Sequence, residues 1–111
     1  MTRNPVFLAI ALSLLCGGIA HAEEGVSTRV LNNCIGGPGI WSDLRLSSCN
    51  ELIKSGKLQS ADLARAYYNR GNTRLMQSEY KKAIEDYTQS LQLVKNDPNS
   101  LHERCWARAV L

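Results

Sequence analysis

From residue 42 onward, apolar residues recur at helical rather than strand spacing. Leu46, Cys49 and Ile53 fall at i, i+3, i+7, with Gly56 just beyond. This predicts a helix that Ser42 is placed to cap and the glycine to stop. A second helix is predicted from near Ser60, with Leu63, Tyr67 and Gly71 on one stripe and Ala64, Tyr68 and Leu75 beside it. A third is predicted from near Ser78, where Tyr80, Ala83, Ile84, Tyr87 and Leu91 form a long amphipathic stripe that Asn96-Asp97-Pro98 ends. Ser100 precedes Glu103 by three, a capping-box signature, and Leu101, Cys105 and Ala109 carry a fourth helical face to the last residue. Residues 23–41 are polar, rich in Gly, Asn and Ser, and read as loop. No stretch sustains period-two alternation, so the predicted fold class is all-α.

The first 22 residues follow a different pattern. Arg3 precedes an uncharged, mostly apolar run over residues 6–16, and Ala20-His21-Ala22 offers small residues at the positions a signal peptidase reads. Residues 1–22 are therefore expected to be an export signal cleaved after Ala22, because the run is short for a membrane-spanning helix. The expected location is periplasmic or secreted, with no stable membrane insertion after cleavage. Of the 111 residues, 89 remain, and they contain Cys34, Cys49 and Cys105. A disulfide between Cys34 and Cys49, around the Ile35-Gly36-Gly37-Pro38-Gly39 bend, is expected in an oxidising compartment and contributes about 3 kcal/mol in the chain-entropy model. Two buried free thiols are the alternative. Cys105 is left over, either buried or paired with a cysteine outside this chain.

Charge narrows the function classes. The chain carries 13 Lys+Arg and 10 Asp+Glu, formally +3, and loss of Arg3 with the leader leaves +2. That balance excludes an acidic disordered tail and a strongly basic nucleic-acid binder, despite Arg65, Arg70, Arg74, Arg104 and Arg108. Enzyme chemistry finds little support. The histidines are His21, in the leader, and His102, whose neighbours Glu103 and Cys105 fall short of the four ligands of a structural zinc site. There is no Cys-x-x-Cys, phosphate loop or nucleophile elbow. No catalytic residue, metal or cofactor is expected. Lys81, Lys82, Glu85 and Asp86 form two i, i+4 opposite-charge pairs and read as a solvated outer face.

One internal similarity stands out. Tyr67-Tyr68-Asn69-Arg70-Gly71 and Cys105-Trp106-Ala107-Arg108-Ala109 lie 38 residues apart. The physical content is a helical hairpin in which Gly71 allows close approach and Ala83 supplies the small surface opposite. Residues 64–98 resemble a tetratricopeptide repeat, through Tyr67, Gly71 in Arg70-Gly71-Asn72, Tyr80, Ala83-Ile84, Tyr87 and Pro98-Asn99. Exported bacterial members of that family are similar, some with a cysteine-bearing helix ahead of the repeat as in Cys49-Asn50-Glu51-Leu52-Ile53. Arg70, Arg74 and Ser90 depart from the family's apolar, aromatic and small residues. The organisation expected is a signal peptide at 1–22, a cysteine-bearing loop and helix at 23–58, the repeat at 59–98, and the first helix of a second, truncated repeat at 99–111.

The resemblance implies binding of a peptide or partner protein on the face of the repeat's first helix, here Arg65, Tyr68, Asn72, Leu75 and Met76. Arg65 can grip a carboxylate, Asn72 can exchange hydrogen bonds with an extended backbone, and Tyr68 and Met76 supply adaptable surface. Tyr68 stands where the carboxylate-gripping subclass has a basic residue, which disfavours that ligand. The alternative is a structural packing module of a longer protein with no ligand of its own. Such arrays need about three units to bury their faces. Leu101, Cys105, Trp106 and Val110 are therefore expected to form an open edge over residues 101–111, closed by missing sequence, a partner or a second copy. The reading as a truncated piece is the more economical.

Overall fold

The computed structural model describes residues 25–111, and these fold into helices with no strand among the described residues. They are α1 (Thr28–Ile35), α2 (Ser42–Ser55), α3 (Ser60–Met76), α4 (Tyr80–Leu93) and α5 (Pro98–Val110). The architecture is all-α, as the periodicity predicts. The leader at 1–22 and its cleavage after Ala22 lie outside the described residues. No helix among the described residues is long and apolar enough to cross a membrane. Successive helices pair as antiparallel hairpins. α3 is central: it packs on α2 and α4 and also touches α1 and α5, so odd-numbered helices line one side of the stack.

The expected loop at 23–41 contains α1, which corrects that reading. The helix is too short to be stable alone, and its ends explain how it survives. Its apolar residues Val30, Leu31 and Ile35, with Val26 ahead of them, pack around fully buried Cys34, Cys49 and Ala66 and nearly buried Leu52. The expected Cys34–Cys49 disulfide is present, with Cα atoms 4.8 Å apart. The last carbonyls of α1 are capped from outside. Arg45 Nη1 donates to Cys34 O at 2.8 Å and Gly36 O at 3.2 Å, its Nη2 donates to Gly37 O at 2.8 Å, and Asn69 Nδ2 donates to Cys34 O at 3.1 Å. Cations and amide donors there satisfy the orphan acceptors and the negative end of the helix dipole.

Helix boundaries differ in detail from the sequence reading. Ser42 is the first residue of α2, not its side-chain cap, and Gly56 ends α2 at φ +65°, the left-handed conformation glycine adopts without penalty. α3 ends where Ser78 turns left-handed at φ 62° and Glu79 N–H reaches back to Arg74 O at 2.8 Å, so α4 begins at Tyr80 rather than Ser78. The Ser100/Glu103 capping box is replaced by Asp97, which accepts from Ser100 N–H at 2.8 Å with Pro98 opening the helix. Ser100 is then free to bury its hydroxyl.

The α3–α4 contact confirms the close approach at Gly71 and corrects what lies opposite. A Cβ on Gly71 would sit 2.8 Å from Tyr87 Cε1, so the glycine accommodates the Tyr87 ring and not Ala83. Ala83, Tyr87 and Ala107 are fully buried there, with Tyr68, Leu75 and Ile84 packed against them. Asp86 also overturns its reading. It is 1% exposed rather than solvated. Arg70 grips it through Nε at 3.1 and 3.2 Å and through Nη2 at 2.7 Å, and Arg74 Nη1 adds a bond at 2.9 Å. Arg70 Nη1 further donates to Asn50 Oδ1 at 3.0 Å, tying α2, α3 and α4 together, while the guanidinium lies 5.4 Å from the Tyr67 ring. The departures at Arg70 and Arg74 thus have one cause, a buried carboxylate that needs both cations. Lys82 pairs with Glu79 instead, and this hydrogen bond lowers the Glu79 pKa.

Burial also resets the repeat length. Ala66 and Thr73 of α3 are buried, and Ser100 and Ala107 of α5 are buried 34 residues later. The 38-residue spacing of the aromatic-x-x-Arg string is therefore not the structural register. Leu101, Cys105, Trp106 and Val110 of α5, the residues expected at an open edge, are exposed.

Candidate functional site

The five residues singled out on α3 do not form one cluster. Arg65 and Tyr68 line a groove of about 320 Å³ between the end of α1, the first half of α3 and the α4–α5 turn. Ile35, Asn69, Val94, Asp97 and Asn99 are among its other lining residues. Asn72 and Met76 line a second recess of about 350 Å³ under the α1–α2 loop, with Pro38, Ile40, Arg45 and again Asn69. Leu75 is half-buried against the Ala83–Tyr87–Ala107 cluster, so it belongs to the core and not to either surface. Met76 is 76% exposed.

Each polar group has a defined state. Arg65 holds an exposed pair with Asp62 at 3.5 Å, a weak interaction in solvent, and a long bond from Nη2 to Ile35 O at 3.4 Å. Most of its donor capacity remains open to the groove. Asp97 uses one carboxylate oxygen to cap α5, so the groove is lined by one cation and one anion from different elements. The tilted Tyr68 ring lies 6.0 Å from the ring of Tyr87 behind it.

The two asparagines are oriented by their inner partners. Asn72 Oδ1 accepts from the Tyr87 hydroxyl at 2.8 Å, which turns its amide N–H₂ outward as a donor. Burial raises the Tyr87 pKa, with Glu103, Tyr68 and Asp86 adding to the shift, so the hydroxyl keeps its proton and this orientation. Asn69 is reversed: Nδ2 is committed to Cys34 O, leaving Oδ1 as an acceptor. One turn of α3 thus presents an acceptor and a donor side by side, the complement of a peptide unit. Asn69 escaped the sequence reading because its value depends on capping a helix that reading placed in a loop. Asn99 escaped because the 34-residue register, which puts it where Arg65 stands, is visible only from burial.

Residues 64–97 match the family model described as tetratricopeptide repeat, which makes the α3–α4 hairpin one such repeat. No curated protein and no solved structure matches the chain. The repeat suggests a protein–protein interaction module. Among the described residues, no group of three or more His, Cys, Asp or Glu side chains is placed to hold a metal ion.

Proposed function

We propose that the chain is an exported, non-catalytic interaction module that binds an extended peptide segment across α3, between the α1 end and the α4–α5 turn. The observation that carries the reading is Asn69, which lines both the groove of Arg65 and Tyr68 and the recess of Asn72, because its open acceptor and the Asn72 donor one helical turn on suit a backbone amide. Arg65 then selects an acidic side chain or carboxylate on the ligand and Tyr68 an apolar or flat one. Export is supported by the leader-like residues 1–22 and by a disulfide of the kind that persists in oxidising compartments.

Panning a random displayed-peptide library against the oxidised chain tests this. Enriched peptides are expected to lose binding at least about tenfold to an Arg65→Ala/Asn72→Ala double variant. Retention of every enriched peptide by a folded double variant overturns the reading.

A further inference from the structure

The recess under the α1–α2 loop differs in chemistry from the groove beside it. Its apolar walls come from two elements, Pro38 and Ile40 from the loop and Met76 from the last turn of α3. Among the described residues that line it, Arg45 alone is charged, and its guanidinium is committed to the carbonyls of Cys34, Gly36 and Gly37. The groove instead keeps the open donors of Arg65. Two large apolar side chains stand in water here. One is Met76, and the other is Trp41, 82% exposed between Ile40 and Ser42, which both line the recess. Tryptophan and methionine are among the residue types enriched where partners bind. The loop lies ahead of the repeat, so this recess owes one wall to the disulfide-linked hairpin.

We infer that the recess takes an apolar side chain of the same bound segment, an inference that rests on the peptide binding proposed above. A charged side chain there would lose water without gaining a partner, so the occupant is apolar. Its place in the segment follows from α3. Arg65 and Asn72 are seven residues apart and Tyr68 and Met76 eight, which sets the two sites about 11 Å apart along the helix. An extended chain covers that distance in about three to four residues. Its direction follows from the asparagines. In an extended chain the N–H and C=O of one residue point to the same side, the N–H first. Asn69 Oδ1 is the free acceptor and the Asn72 amide N–H₂ the free donor, so the segment runs parallel to α3. The acidic residue at Arg65 therefore comes first, and the apolar residue at Met76 follows it.

A library of terminally blocked nine-residue peptides, with glutamate fixed at the centre and every other position degenerate, tests this on the full oxidised chain. Bound peptides are expected to be enriched in large apolar residues about three or four positions after the glutamate, and not at that distance before it. Replacing the enriched residue by serine is expected to weaken binding about tenfold. Met76→Lys, an exposed change at the end of a helix that favours a cation, is expected to switch the preference at that position from apolar to acidic. Ile40→Lys on the loop wall makes the same switch, and it serves where Met76→Lys alters the melting curve. Peptides that need Arg65 but show no apolar preference after the glutamate overturn the inference and leave peptide binding standing. A preference on the amino-terminal side of the glutamate overturns it, because the segment then runs the other way. So does a preference that stays apolar, or vanishes without turning acidic, in the folded lysine variants. No enrichment of any peptide ends both readings.

Discussion

The two hairpins that flank the groove are held by opposite means. In α1–α2 the contact is covalent and apolar, with the Cys34–Cys49 bond at the centre and Arg45 capping backbone carbonyls. In α3–α4 no covalent link exists, and the centre combines a buried charge cluster around Asp86 with a glycine-to-ring contact at Tyr87. The difference follows from length. An eight-residue helix buries too little surface to order itself, so a cross-link that restricts the unfolded chain substitutes for packing. A 17-residue helix against a 14-residue one has surface to spare and can tolerate a desolvated carboxylate, provided two guanidinium groups reach it.

Four perturbations sharpen that contrast. The largest effect is expected at Asp86. Asp86→Ala leaves Arg70 and Arg74 without their anion and is expected to cost about 3–5 kcal/mol, the low end applying because both side chains reach some solvent. Denaturant unfolding measures it, and a loss below about 1 kcal/mol refutes the cluster as a stabilising centre. Next, Cys34→Ser/Cys49→Ser is expected to cost about 3 kcal/mol and to act locally. Hydrogen exchange should show α1 opening while α3 and α4 stay protected. Uniform loss of protection instead means that the hairpins do not fold by separate means.

Gly71→Ala places a methyl against a buried ring and is expected to cost about 1–3 kcal/mol. An unchanged melting temperature removes the close contact. The smallest effect belongs to Tyr87→Phe, about 1 kcal/mol for the lost bond to Asn72. It carries a pH signature. An unfolded tyrosine ionises near pH 10, whereas burial raises the Tyr87 pKa, so above about pH 10 the unfolded state releases a proton that the native state keeps. Stability therefore falls with rising pH in that range, and the phenylalanine variant lacks this component of the slope. A Cys105→Ser background avoids thiol exchange at alkaline pH.

The hairpin and the disulfide were legible because each has a local signature: helical stripes, and cysteines 15 apart around a glycine bend. α1 was not, since Asn32-Asn33 and neighbouring glycines mask a stripe whose support comes from Arg45 and Asn69. Asp86 was misread because i, i+4 spacing placed it beside Lys82, while its true partners sit one helix back. Arg70 and Arg74, odd for their positions, were the sequence signal of that burial. Of the proposed binding set, Arg65 and Tyr68 share the groove beside the α4–α5 turn, whereas Leu75 packs inward against the Ala83–Tyr87–Ala107 cluster.

The buried hydroxyls at the top of the stack set its pitch. Ser90 Oγ gives its single proton to Ala64 O at 2.9 Å, so at the 3.2 Å Ser90–Ser100 contact Ser100 must be the donor. Two protons, pointing the same way, thereby pin α5 to α4 and α4 to α3. Sliding any of the three by one turn would orphan a hydroxyl away from water. The stagger between neighbouring helices, and with it the width of the cleft that Asn99 and Asp97 border, is thus indexed by two serines rather than left to the looser fit of aliphatic side chains.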